Sequence, residues 1–142
     1  RKKIEKLIKK IGIFIIKAKN IYLMSKQVLE KHNGKVPKTF EELEKLPGVG
    51  HKTASVVMSQ GFGYPAFAVD THVHRLMYRW GLSTGKSVLQ TERDGKRLFP
   101  KEKWNKLHLQ IIFYGREYCP ARNFNPNLCP ITSVVGRRTL FK

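Results

Sequence analysis

An all-α fold is what this sequence predicts, and three observations predict it. Apolar residues recur at three- and four-residue spacing along most of the chain. Helix start and stop signals bracket those stretches, and the alternation that marks strands is nearly absent. With 142 residues, 41% of them hydrophobic, the chain suits one domain with one core, residues 1–142. No repeat, linker or low-complexity block divides it.

The elements follow in order. Ile4, Leu7, Ile8 and Ile11 are spaced for one helix face, with lysines around the rest. A second helix runs from about Ile15 to Lys31, with Ala18, Ile21, Tyr22, Val28 and Leu29 as its apolar positions. Asn33–Gly34 stops it, and Pro37 lies beyond. Thr39 and Glu42 make a capping box for a short helix that ends at Pro47. Another helix spans about Lys52 to Gln60 and breaks at "GFGYP", Gly61–Pro65, where the chain reverses. Asp70 is the N-cap of Thr71–Trp80, closed by Gly81. Ser87 and Gln90 cap a helix toward Phe99. Pro100 opens the last clear helix, with Trp104, Leu107, Ile111 and Tyr114 as its buried candidates. Residues 119–136 read as a loop, mobile or pinned by a partner, that holds by packing around Phe124, Leu128 and Ile131.

Charge is the outlying quantity. There are 28 Lys+Arg against 10 Asp+Glu, a net charge of +18 and a pI near 10.2. A compact chain carrying this much like charge repels itself, and a polyanion is the natural compensation, so nucleic acid is the expected partner. No apolar run approaches the ~20 residues of a membrane span, and no membrane partner is expected. Two cysteines cannot make a disulfide framework, which points to an intracellular protein.

The stretch "LPGVG", Leu46–Gly50, lies between two short helices, and residues 39–60 together read as a helix-hairpin-helix. Gly48 and Gly50 permit backbone conformations closed to other residues and leave no side chain in the way of a ligand. The second helix brings unpaired N–H groups and a partial positive charge to the same place, which suits a phosphate. Ala54 and Val57 are spaced to pack the helices together. A hairpin used in this way grips a sugar-phosphate backbone without reading bases. The nucleic-acid-binding set is Leu46, Gly48, Val49, Gly50, His51 and Thr53, with His72 further on.

Lys52 lies two residues past the hairpin, and Asp70 comes eighteen residues later. A helix start and neighbouring cations favour a neutral amine, which is a nucleophile. Such an amine can attack a sugar's anomeric carbon, expel the base and leave a Schiff base. Proton loss beside the imine then breaks the strand by β-elimination. A nearby carboxylate would serve as base and as stabiliser of the cationic sugar, and Asp70 can do this while capping its helix.

"LPGVGHKTASVV" and "FAVDTHVHRLMYRWG" together resemble endonuclease III, the bifunctional glycosylase and abasic-site lyase of the helix-hairpin-helix DNA glycosylase superfamily. The resemblance extends from about Ile11 to Cys129, through "HNGKVP" and "HLQIIFYGREYC". It implies the helical fold of that family, base excision on duplex DNA, Lys52 as Schiff-base nucleophile and Asp70 as its carboxylate.

Two departures accompany the resemblance. The family usually ends in C-x6-C-x2-C-x5-C, holding a four-iron–four-sulfur cluster, but this chain offers only Cys119 and Cys129, with Pro126 and Val135 at the other positions. No cofactor and no metal are therefore expected, and the cysteines are read as packed thiols. The family's fold also begins with helices that have no counterpart after Arg1, so the domain is expected to be N-terminally incomplete. Phe14, Ile15 and Ile16 stand where polar residues are expected at a helix start. A preceding segment or a protein partner is expected to cover them.

Two functions compete. One is a repair glycosylase and lyase; the other is a catalytically silent module that binds structured RNA in a large ribonucleoprotein such as an organellar ribosome. The intact pair Lys52 and Asp70 favours the enzyme. The compartment follows the function: bacterial cytoplasm or nucleoid, or a mitochondrion or other organelle.

Overall fold

The computed structural model describes residues 1–141 and contains helices and no strand among them. Contacts divide the chain into two compact units, Arg1–Met58 and Ser59 onward.

The first unit holds α1 (Lys2–Leu7), α2 (Phe14–His32), α3 (Phe40–Glu44) and α4 (His51–Val56). Its core joins Leu43, Leu46, Ala54 and Met58 to half-buried Met24, Val28, Phe40, Val49 and Val57. Thr39 caps α3 as its sequence predicts: Oγ1 accepts the Glu42 N–H at 3.3 Å and donates to Glu42 Oε2 at 2.9 Å. At the end of α2, Asn33 turns left-handed and the Gly34 N–H reaches the Val28 carbonyl at 3.0 Å.

The apolar faces of α1 and α2 differ from expectation. α1 ends at Leu7, which is 85% exposed, and Ile11 falls in the following turn, so only Ile4 and Ile8 are half-buried. Along α2, Ala18 is the one buried residue, while Ile21, Tyr22 and Leu29 are exposed. The small core of this unit uses a narrow line of α2, Met24 and Val28, and leaves the rest in solvent. Phe14 is half-buried and Ile15 and Ile16 are exposed. Ile13, which precedes them, has φ 53°, a costly conformation for a β-branched residue.

α4 is shorter than its sequence predicts because it passes into a π-helical turn, Val57–Gly61, before the chain reverses. The second unit then contains α5 (Thr71–Arg79), α6 (Val88–Leu98), α7 (Trp104–Glu117) and α8 (Pro130–Val135). Short 3₁₀ turns at Lys101–Lys103 and Arg138–Phe141 complete it. α5 packs on both α6 and α7 around Phe67, Val69, Val73, Leu76, Met77, Ile111 and Ile112. α6 is capped as predicted, Ser87 Oγ accepting the Gln90 N–H at 3.0 Å. Ile111 is fully buried in α7, whereas Trp104, Leu107 and Tyr114 are half-buried against the core.

The segment expected to be a loop over 119–136 contains a helix, α8. Its capping residue Cys129 is buried, and Pro130 fits the first helical position. Of the three residues expected to pack it, only Phe124 does so; Leu128 is 78% exposed and Ile131 39%. Among the described residues no helix is long and apolar enough to cross a membrane.

α6 meets the core through Gly95. A Cβ there would lie 2.4 Å from Cε1 of Phe67, a ring that is fully buried. Alanine would gain about 1 kcal/mol of helix propensity, but overpacking a rigid ring costs about 1–3 kcal/mol. Gly95→Ala is expected to lower the thermal midpoint, read by circular dichroism; an unchanged or raised midpoint would show that Phe67 can yield.

Candidate nucleic-acid interface and catalytic residues

The two glycines of the hairpin do different work. Gly48 has φ 80°, and a Cβ there would lie 2.9 Å from Asn20 Cβ and Nδ2. It is glycine because of both its backbone conformation and the close approach of α2. Gly50 has φ −98° and ψ 176°, extended backbone that any residue adopts, so the expectation of a special conformation fails there. What distinguishes Gly50 is open space where a Cβ would point. One glycine shapes the hairpin and the other leaves its face clear.

The remaining hairpin residues divide in the same way. Leu46 is 4% exposed and belongs to the core, so its side chain is out of a ligand's reach; its carbonyl accepts the Val49 N–H at 3.0 Å and closes the turn. Val49 is half-buried against the same core. His51 donates from Nδ1 to Glu44 Oε1 at 2.7 Å and stacks on Phe40 at 5.8 Å, tying α4 to α3. Lys52 and Thr53 are exposed on the first turn of α4, where backbone amides lack intrahelical partners. A groove of about 240 Å³ runs between α2 and the hairpin, with Lys17, Asn20, Gly48 and Thr53 in its wall. Asn20, on α2, packs against the hairpin in a way that the sequence did not reveal, because nothing local marks a side chain that packs across twenty-eight positions.

Asp70 belongs to the second unit. It emerges from a buried run without regular secondary structure, Ala66–Val69, and its Oδ1 accepts the Val73 N–H at 2.8 Å, making the predicted cap of α5. Asn105 fixes the approach to that run. Its Oδ1 accepts the Ala66 N–H at 3.0 Å, its Nδ2 donates to the Ser59 carbonyl at 3.3 Å, and its own carbonyl accepts from Gln60. His72 is half-buried; its Nδ1 accepts from Arg75 Nη2 at 3.0 Å.

The other end of α5 anchors the C-terminal segment. Arg75 Nη2 donates to the carbonyls of Gly115 and Cys119 at 3.1 and 2.9 Å. Arg79 Nη1 donates to the carbonyls of Cys119 and Pro120 and to Cys119 Sγ, and its guanidinium lies 3.5 Å from the Phe124 ring centroid. Cys119 and Cys129 are fully buried. Burial pushes the Cys119 thiol up. Burial also acts on Cys129, but hydrogen bonds from Thr132 and Tyr114 outweigh it and hold that thiol below its usual value. Tyr114 is pushed up to about 12 by burial and by its bond to Cys129.

Two short helices joined by a glycine turn with a clear face make the first unit a helix-hairpin-helix module. The chain belongs to the HhH-GPD superfamily of base excision DNA repair proteins, whose family profile matches residues 1–101. It is 48% identical to Endonuclease III of Bacillus subtilis (strain 168) over 128 residues, 89% of this chain and 58% of that protein. Among solved structures it is similar to a non-covalent Endonuclease III–DNA complex, with 42% identity and a TM-score of 0.88 over 96% of this chain and 64% of that one. It is also similar to a trapped Endonuclease III–DNA covalent intermediate, with 41% identity and a TM-score of 0.84 over 93% of this chain and 65% of that one. The chain thus spans between 58% and 60% of the length of the first three relatives.

The glycine pair yields a test. Gly48→Ala forces φ 80° on a residue with a Cβ and drives that atom into Asn20, and is expected to destabilise the protein by about 1–3 kcal/mol. Gly50→Ala loses only a weak N-cap preference, under about 1 kcal/mol, yet places a methyl on the clear face. Melting curves and anisotropy titrations with duplex DNA separate the two: Gly50→Ala should bind more weakly while melting nearly as the parent does. Undiminished binding by Gly50→Ala would mean that no ligand approaches this face.

Proposed function

We propose that the chain carries the chemistry of a DNA repair glycosylase with abasic-site lyase activity on duplex DNA. The observation that carries the reading is Lys52, an exposed lysine on the first turn of α4, two residues after the clear face of Gly50. Its support from relatives is the 48% identity to an Endonuclease III and the likeness to a covalent protein–DNA intermediate. The alternative of an RNA-binding scaffold finds no support among those relatives.

The neutral Lys52 amine attacks C1′ of the damaged nucleotide, the C1′–N bond breaks, and the base departs with the electron pair and takes up a proton. The sugar ring opens as the C1′–N bond to lysine becomes an imine. Removal of a C2′ proton then expels the 3′ phosphate by β-elimination, and water hydrolyses the imine to return the lysine. Asp70 stabilises the cationic sugar and handles protons, while its Oδ1 remains the cap of α5. The hairpin amides and the basic surface hold phosphates.

Borohydride reduction of the intact protein on abasic duplex DNA is expected to trap a covalent adduct. Lys52→Ala should abolish trapping and leave DNA binding largely intact. Lys52→Arg keeps the charge, but its guanidinium stays protonated and cannot attack, so it should trap nothing. Asp70→Asn still caps α5 and is expected to slow adduct formation by roughly a hundredfold or more. Trapping by Lys52→Arg at the parent rate would end the reading.

Binding should also depend steeply on salt. Each neutralised phosphate contributes about −0.9 to the slope of log K against log salt on duplex DNA, so contact with four to six phosphates gives roughly −4 to −5. A slope near zero would rule out backbone contacts as the main source of affinity, and stronger binding to structured RNA than to the lesion would favour the scaffold.

A further inference from the structure

The segment after α7 is where a four-thiolate iron–sulfur cluster would have to sit, and its residues do not fit one. Pro126 and Val135, at the two other positions of the spacing, offer no side-chain electron pair, and Val135 is 53% exposed while both sulfurs are fully buried. The space beside the sulfurs is taken by Thr132, itself fully buried. Its hydroxyl donates to Cys129 Sγ at 2.9 Å, lies 3.8 Å from Cys119 Sγ, and accepts the Trp80 indole N–H at 3.2 Å. Tyr114 donates to Cys129 Sγ at 3.3 Å and accepts the Ile131 N–H at 2.9 Å. Arg79 donates to Cys119 Sγ at 3.1 Å.

We infer that this set is a metal-free fastening of the C-terminal segment, with the Thr132 hydroxyl as its central atom and two protonatable thiols in place of ligated sulfur. Each element that surrounds the two sulfurs is reached by a direct bond. Trp80 and Arg79 come from the end of α5, Tyr114 from α7, and Thr132 from α8. The chain leaving α8 then returns to α5: the Arg137 N–H bonds the Arg79 carbonyl at 2.9 Å, and its side chain bonds the carbonyls of Tyr78 and Ser83 at 2.6 Å each. A hydroxyl with one donor and two acceptor sites can serve three partners at once. A buried network of this kind is stable only when fully satisfied, so its centre is its most sensitive point.

The test is independent of the lyase reading, because it uses metal content and melting alone. Protein purified without oxygen from iron-supplemented cells is assayed for iron, acid-labile sulfide and zinc. Substoichiometric amounts of all three are expected, with a melting temperature that a chelator does not change. One cluster or one zinc per chain, or a fall in melting temperature with chelator, would overturn the inference. Thr132→Val removes the hydroxyl at constant volume and is expected to lower the melting temperature by about 3–6 °C or to prevent folding. Thr132→Ser restores the hydroxyl and should melt within about 2 °C of the parent, allowing for its lost methyl. Equal melting of parent and Thr132→Val would also overturn it.

Discussion

A cation buried without a carboxylate sets the terms of the second unit. Arg79 is 8% exposed, and its partners are two carbonyls, a thiol and an aromatic ring. An unpaired charge in such a place would cost several kcal/mol. The carbonyls that meet it follow α7, where helix dipoles concentrate negative potential, and Arg75 one turn earlier meets the same run. α5 and the end of α7 therefore form one body, and the segment beyond is free to vary only as far as these acceptors stay in place. This requirement explains why Gly115 faces His72, Arg75 and Leu76: a Cβ there would lie within 3.3 Å of all three.

Fixing α5 at its end also fixes its beginning. The helix is nine residues long, so the cap residue Asp70 and the buried Arg79 are separated by a rigid rod. Upstream, Ala66–Val69 is buried and Asn105 holds the reversal that precedes it. The carboxylate is thus positioned by packing on both sides. In the first unit the same economy appears on a smaller scale: Leu46 and Val49 anchor the hairpin from below, His51 braces it against α3, and Gly50 leaves its upper face clear.

The legible parts of the fold were those written locally. Thr39, Asp70 and Ser87 each accept from the amide three residues on, and each is recognisable from a short run of sequence. The left-handed turn at Gly48 was legible for the same reason, whereas Gly50 is extended. What escaped depends on partners distant in sequence. The apolar residues of α1 and α2 share a periodicity, but the core beneath them is too small to cover Leu7, Ile21 or Leu29. α8 has six residues and no amphipathic repeat; it forms because Cys129 and Thr132 are drawn into a buried network. Asn20, Asn105 and Thr132 carry no motif, and their roles exist only once α2, α7 and α8 have packed.

Asp70 is where local and distant demands meet, and the meeting has a chemical consequence. A carboxylate that only caps a helix needs one oxygen, and Oδ1 supplies it to the Val73 amide. The second oxygen has no hydrogen-bond partner among the described residues, and the residue is only half-buried. Being held through Oδ1 also prevents the side chain from turning away, so that in the proposed reaction its charge would already be in place. The cap explains why a residue of this type suits the start of α5. It does not explain why that residue is charged, since asparagine caps as well. In the proposed reaction that charge would meet a cationic sugar, a species that a carboxylate stabilises and a neutral amide does not.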